Sequence, residues 1–322
     1  MKILFAASED AWGGFLNRVK KLLPGHKFLA EGCFEITDLS GIDVLIPTMS
    51  KVTEDILKTA DKLRLIQQCG AGLELIDLNA ARERDIFVAN VPTDISGNAD
   101  SVAELVIYLM IGLSRNVKMM KNSLEKRIMG DPMGIALKGR TVGIVGLGGI
   151  GKAVINRLRP FGVNLIGIKQ SNPDKAKKDL HIDWVGGPDD LDNLLRQSDY
   201  VVLCLPLNYS SQGLINKDTL KIMKPNSFLI NVSRGGLVDH GALKAALKEK
   251  SIAGAGLDVF WEEPPDPTDD IFQYNVMATP HIGGATDVSM QGIARSVAEN
   301  INRIANGKIP INQPERQTPS KI

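Results

Sequence analysis

Three segments late in the chain each carry one reactive side chain just beyond an apolar, strand-like run. Arg234 follows SFLINV (227–232) in NVSRGG, Glu263 follows AGAGLDV (253–259) in LDVFWEEPP, and His281 follows NVMAT (275–279) in ATPHIGG. Open α/β sheets bind ligands outside the carboxyl ends of their strands, so parallel strands would bring all three to one rim. Their chemistries are complementary. A guanidinium grips a carboxylate in a bidentate fork and polarises a neighbouring oxygen. An imidazole takes a hydroxyl proton in one direction and returns it in the other. A carboxylate beside the ring orients it and favours its charged form. Next to a dinucleotide, this set suits hydride transfer on a hydroxy acid. The order Asp258-x-x-x-x-Glu263 selects Glu263 over Glu262, and the pair Gly283-Gly284 beside His281 signals close approach of a ligand. His26, His181 and His240 lack such surroundings and read as surface residues.

The dinucleotide is indicated by TVGIVGLGGIGKAVINR (141–157), an apolar run, a glycine turn and a helix pattern. Gly146, Gly148 and Gly151 form G-x-G-x-x-G in the strand–turn–helix setting that the motif requires. Gly146 allows the tight turn, Gly148 lets the backbone approach a pyrophosphate, and Gly151 lets helix pack on strand. The helix N-terminus then offers N–H groups and a positive dipole end to the phosphates.

The elements that must position these residues alternate in type. Strands are expected at 2–7, 43–47, 64–68 and 86–90, with helices near 12–23, 53–60 and 77–84 between them. A long helix spans about 100–120. Beyond the glycine turn, strands at 164–169, 200–205, 227–232, 253–259 and 275–279 alternate with helices at 189–197 and 241–250, and a last helix runs over about 287–306. Such alternation argues for parallel sheets covered by helices on both faces. At 322 residues the chain is long enough for two cores. The helices at 100–120 and 287–306 flank the central unit and would carry the chain across the boundary and back, so the two doubly wound domains are interleaved. The tail after Pro310 reads as loose.

Composition narrows the class. Lys and Arg number 38 against 37 Asp and Glu, which leaves no electrostatic footprint for nucleic acid or an anionic membrane. Cys33, Cys69 and Cys204 are too widely spaced for a metal or disulfide framework, which fits a reducing cytoplasm and no metal. The N-terminus has too short an apolar run for a signal peptide. The longest apolar stretch, 102–113, is broken by Glu104 and Gly112 and suits a buried helix rather than a membrane span. It is also more apolar than a hinge requires, and a homodimer is expected.

NVSRGGLVD, GAGLDVFWEEP and TPHIGGAT resemble the signature segments of the D-isomer-specific 2-hydroxyacid dehydrogenases, a likeness that runs over roughly residues 1–312. The resemblance implies a Rossmann cofactor domain, 98–287, inserted into a flavodoxin-like substrate domain made of 1–97 and 288–322. It implies Arg234, Glu263 and His281 as the catalytic trio and Asp258 on the nicotinamide side of the cofactor. Gly149 and Ile150 would meet the pyrophosphate, and Leu205, Pro206, Ser233 and Gly283 would line the cofactor. Backbone N–H groups of Ala71 and Gly72, in QCGAGLELID, would meet the substrate carboxylate together with Arg234. The chain departs from the family pattern after that early GAG, with Glu74-Leu75 in place of Asp-Asn.

The expected activity is oxidation of a small D-2-hydroxy acid or reduction of its 2-keto acid, of the glyoxylate or hydroxypyruvate type before the 3-phosphoglycerate type. A phosphorylated substrate would need extra cations near Met49, Ser50 and Trp261, where only Lys51 stands out. NAD is usually recognised by an acidic residue about 20 positions beyond the glycine turn. Here that strand end reads Ile168-Lys169-Gln170-Ser171, with positive charge at Lys169, so NADP(H) is expected before NAD(H). The alternative is a dinucleotide-sensing corepressor of the same fold, resembling C-terminal binding protein. The neutral charge and short tail favour the enzyme.

Overall fold

The computed structural model describes residues 1–31 and 34–314. Cys33 lies outside them, as does the tail from residue 315 on. The chain divides into two compact units, Met1–Asn98 with Ala285–Ile322, and Ala99–Gly284.

The first unit contains β1 (Lys2–Phe5), α1 (Ala11–Leu22), β2 (Lys27–Ala30), β3 (Val44–Ile46), α2 (Glu54–Lys58), β4 (Leu65–Gln67), α3 (Leu78–Glu83) and β5 (Phe87–Ala89). All strand pairs are parallel, in the order β2-β1-β3-β4-β5. This is the 2-1-3-4-5 winding of flavodoxin-like sheets. Short apolar runs such as Val44–Ile46 are buried on both faces, as a parallel sheet requires. Thr53 and Asp77 cap α2 and α3 by accepting from the N–H groups of Ile56 and Ala80.

The second unit opens with α4 (Asn98–Ser114) and α5 (Val117–Glu125). Sequence periodicity predicts one helix here. The chain breaks it at Asn116, whose left-handed backbone (φ 51°) is a conformation that asparagine tolerates. There follow β6 (Thr141–Val145), α6 (Gly149–Leu158), β7 (Asn164–Ile168), α7 (Pro173–Leu180), β8 (Trp184–Gly186), α8 (Leu191–Gln197), β9 (Tyr200–Leu203), α9 (Lys217–Ile222), β10 (Phe228–Asn231), α10 (His240–Lys248), β11 (Gly254–Leu257) and β12 (Val276–Ala278). The seven strands are parallel in the order β12-β11-β10-β9-β6-β7-β8. Counted from β6, the first six follow the Rossmann order 3-2-1-4-5-6, with one strand added at the edge. Val106, Leu109 and Met110 of α4 pack with Ile144, Val202 and Ile230 on one face. Leu194, Leu195, Leu243 and Leu247 of α8 and α10 cover the other. The last helix, α11 (Asp287–Ala305), is capped by Thr286 and belongs to the first unit, where Ile293, Val297 and Ile301 join Ile3, Phe5 and Leu65 in one core.

Cys69 and Cys204 are free, and burial pushes both thiols up to about 12. Neither can act as a nucleophile near neutral pH. Among the described residues no helix is long and apolar enough to cross a membrane, and no cluster of His, Cys, Asp or Glu could hold a metal.

Candidate active site

The second sheet's order reverses between β6 and β9, and the crevice outside that switch point is where an open α/β sheet takes its ligand. The glycine turn lies there. Gly146 has φ +104°, and a Cβ on it would stand 2.5 Å from the carbonyl oxygen of Cys204. A Cβ on Gly151 would stand 2.1 Å from the carbonyl oxygen of Gly146, so helix and turn meet with no room for a side chain. Gly148, the N-cap of α6, faces open space. Gly149 and Ile150 form the first turn of that helix, where backbone N–H groups have no intrahelical partner. Two glycines are thus consumed by packing and one leaves an open cradle beside a helix N-terminus, which fits a pyrophosphate.

The other candidate cofactor residues stand on the same rim. Leu205 and Pro206 follow β9, Lys169 follows β7, Ser233 follows β10 and Asp258 follows β11. Lys169 is partly buried and its Nζ lies 3.5 Å from the Leu147 carbonyl oxygen, over the glycine turn. Ser233 is buried, and its hydroxyl donates to the Leu203 carbonyl at 3.0 Å.

Asp258 is 2% exposed and works on protein groups. Its Oδ1 accepts from Thr279 Oγ1 at 2.7 Å and from the Ile282 N–H at 2.8 Å, and its Oδ2 accepts from the Gly283 N–H at 2.8 Å. Burial pushes this carboxyl above its ordinary value, against those three hydrogen bonds and the charge of His281. A Cβ on Gly283 would stand 2.8 Å from Asp258 Oδ2, so a glycine here admits the close approach of that carboxylate. These contacts shape the 279–283 loop, in which His281 takes a left-handed backbone (φ 54°).

The trio is gathered from three strand ends. His281 Nδ1 lies 2.7 Å from Glu263 Oε2, and Glu263 Oε1 accepts from the Phe260 N–H at 3.0 Å. Burial alone would raise the Glu263 carboxyl. The hydrogen bond and charge of His281, the Phe260 N–H and the charge of Arg234 outweigh it and hold the group below its ordinary value. Glu262 is exposed, and Glu263 is the one turned inward. Arg234 is partly buried, with one guanidinium nitrogen donating to the Ser233 carbonyl at 2.8 Å. Its backbone is held by Asn231, which is 1% exposed. The amide oxygen of Asn231 accepts from the Ser233 N–H at 3.1 Å, and its Nδ2 donates to the Arg234 carbonyl at 2.8 Å. A Cβ on Gly235 would stand 2.0 Å from the Phe260 carbonyl oxygen. The Arg234 turn and the Glu263 loop are therefore in backbone contact.

Asn231 and Thr279 escape a reading based on reactive residues alone. The signal for Asn231 is its place two residues before Ser233, the spacing of an asparagine that bonds its own turn. Among the side chains expected to set substrate identity, Ser50 donates to the Ala6 carbonyl at 3.3 Å, and Trp261 Nε1 donates to the Val238 carbonyl at 2.6 Å. Both polar groups are committed to the protein's own backbone. Ala71 and Gly72 lie in the other unit, beyond the end of β4, where Asn90 Nδ2 donates to the Ala71 carbonyl at 2.7 Å.

The chain has known relatives. The profile of the D-isomer specific 2-hydroxyacid dehydrogenase NAD binding domain matches residues 107–283. A glyoxylate reductase of Thermococcus litoralis is 38% identical over 282 residues, covering 84% of this chain and 83% of that protein. A D-3-phosphoglycerate dehydrogenase of Methanocaldococcus jannaschii is 36% identical over 277 residues, and there the matched region spans only 51% of the relative's length. Among solved structures, the TT0316 protein of Thermus thermophilus superposes with a TM-score of 0.84 at 28% identity, covering 97% of this chain and 99% of that one. The chain belongs to the D-isomer specific 2-hydroxyacid dehydrogenase family.

Proposed function

We propose that this protein interconverts a small D-2-hydroxy acid and its 2-keto acid, of the glyoxylate or hydroxypyruvate type before the 3-phosphoglycerate type, with NADP(H) preferred over NAD(H). The observation that carries this reading is the Glu263–His281 contact at 2.7 Å, beside an arginine whose charge reaches the same carboxylate. Glyoxylate and hydroxypyruvate reductases among the relatives support the substrate type. The Lys169 ammonium over the glycine turn supports the cofactor preference, because a 2′-phosphate is attracted where a carboxylate would repel it.

In the reductive direction, Arg234 grips the substrate carboxylate in a fork and polarises the keto oxygen. Ala71 and Gly72 add backbone donors to the carboxylate. His281 keeps its Nδ1 proton against Glu263 and gives the Nε2 proton to the keto oxygen as it becomes a hydroxyl. In oxidation the same nitrogen takes that proton back. Gly148, Gly149, Ile150, Lys169, Leu205, Pro206 and Ser233 would hold the cofactor, and Asp258 would serve it through the 279–283 loop that it braces. When bound, the nicotinamide supplies the hydride or accepts it.

We further propose a homodimer in a reducing cytoplasm. Tyr108, Leu124, Met129 and Met133 on and beyond α4 and α5 are more than half exposed, an apolar surface suited to a second copy. The deciding experiment is a panel of 2-keto acids, phosphorylated and not, assayed with NADPH and NADH. Turnover of glyoxylate or hydroxypyruvate upholds the reading. Tight dinucleotide binding without turnover of any acid would favour the sensing corepressor instead.

A further inference from the structure

We propose that His240 is a positioning residue for the acid–base pair, acting through Trp261; the proposal rests on the catalytic roles given to Glu263 and His281. From sequence His240 reads as a surface histidine. In the structure it is the first residue of α10, whose N-cap is Asp239, and its side chain is part-exposed, with the ring engaged on two sides. The imidazole and the Trp261 indole have centroids 4.3 Å apart at 37°. His240 Nε2 also lies 2.7 Å from Asp269 Oδ2, outside hydrogen-bond geometry.

Trp261 and Asp269 stand at opposite ends of one loop, and Glu263 lies inside it. Both ends therefore close on the same imidazole. Each anchor is fixed a second time. Trp261 Nε1 donates to the Val238 carbonyl at 2.6 Å, and Asp269 Oδ1 accepts from the Ile271 N–H at 3.0 Å. Lys244, one turn further along α10, lies 3.8 Å from Asp269 and 3.2 Å from Asp270, which ties the same loop end to the same helix.

The geometry serves catalysis because the loop is also the partner of the Arg234 turn. Val238 and His240 follow that turn directly, and Gly235 lets its backbone touch Phe260 and Trp261. The chain runs from Arg234 to His240, crosses to Trp261 through the ring contact, and reaches Glu263 two residues later. His240 and Trp261 thus set the distance between the guanidinium and the carboxylate that holds His281. A misplacement of about 1 Å at such a pair lowers turnover by up to about 10²-fold.

The test uses the whole protein and the variants His240→Ala, His240→Phe and Trp261→Phe. With only four histidines in the chain, the Nδ1 proton of His281 in its bond to Glu263 is an assignable NMR signal, identified by its loss in His281→Asn. His240→Ala should move or broaden that signal and lower kcat on the order of tenfold, with cofactor Kd unchanged. His240→Phe keeps a ring against Trp261 and should recover most of both. Trp261→Phe, which loses the bond to Val238, should reproduce the displaced signal. A His240→Ala protein with the wild-type signal and kcat overturns the proposal. So does one whose melting temperature falls while signal and kcat per folded molecule do not change. If His240→Ala does not fold, an unmoved signal in Trp261→Phe overturns it equally. Should the wild type turn over no keto acid, the proposed function fails, and the NMR signal still judges the positioning.

Discussion

Glu263 Oε2 and His281 Nδ1 stand 2.7 Å apart, although 18 residues of chain separate them. The contact assigns the ring a tautomer, because a carboxylate there keeps the proton on Nδ1, and the proposed reaction then exchanges its proton at Nε2. The carboxyl's side chain is only 17% exposed, so bulk water screens the pair weakly.

Replacing the exchanging group tests the mechanism directly. His281→Asn should lower kcat by roughly 10²–10⁴-fold, the usual scale for a positioned general acid or base. Dinucleotide binding by titration should be unchanged. A collapse of cofactor affinity with normal turnover per bound complex would make His281 structural.

The pH dependence of the pair has a definite sign. Glu263 is held below its ordinary value of 4.5, so in the folded protein it stays ionised to lower pH than in the unfolded chain. Its contribution to stability is present above about 4.5 and is lost as pH falls through the folded-state value. Glu263→Gln should remove that acid-side dependence from the thermal melting curve. It should also lower kcat about 10- to 100-fold at neutral pH, since an amide cannot stabilise the imidazolium.

Asp258 titrates in the opposite sense. Its carboxyl is raised above 3.8 by burial, so ionisation costs the folded state something as pH climbs from 3.8 through the folded-state value. Three donors nonetheless converge on its two oxygens. Asp258→Asn presents an amide N–H₂ to at least one of them, and leaving a buried donor unmet costs about 1–3 kcal/mol. Calorimetry should show that loss together with reduced kcat, because the loop carrying His281 is the one released. Wild-type stability and activity in this variant would show that the three bonds are dispensable.

The cofactor preference is checked at one residue. Wild type should have the higher kcat/KM with NADPH, and Lys169→Asp should reverse the ratio in favour of NADH. A wild type that already favours NADH would show that the ammonium at the end of β7 does not read the ribose.

Much of this was legible because parallel sheets buried on both faces leave near-continuous apolar runs. β9 (YVVL) and β10 (FLIN) announce themselves in that way, and Arg234 stands a few residues beyond the second of them. β2 and β8 do not. Each is an edge strand of three or four residues, and KFLA carries no fully buried side chain, so no alternation marks it. α7, PDKAKKDL, buries only Ala176 and reads as a charged loop. At the site, residue type singled out Glu263 and His281, which the fold brings into contact, but not their bracing. Asn231, Thr279 and His240 act through contacts made only in the folded chain, which residue type does not reveal.

The division of the chain also bears on how it is made. The core around Ile3, Phe5, Val44 and Leu65 is completed by Ile293, Val297 and Ile301 of α11. A ribosome delivers the strands of that core long before the helix, and the entire intervening unit emerges in between. The second unit, continuous in sequence, can close while the first still shows an apolar sheet face to chaperones and to other nascent chains. Synthesis arrested before α11 would therefore leave a finished nucleotide fold tethered to an aggregation-prone half-domain.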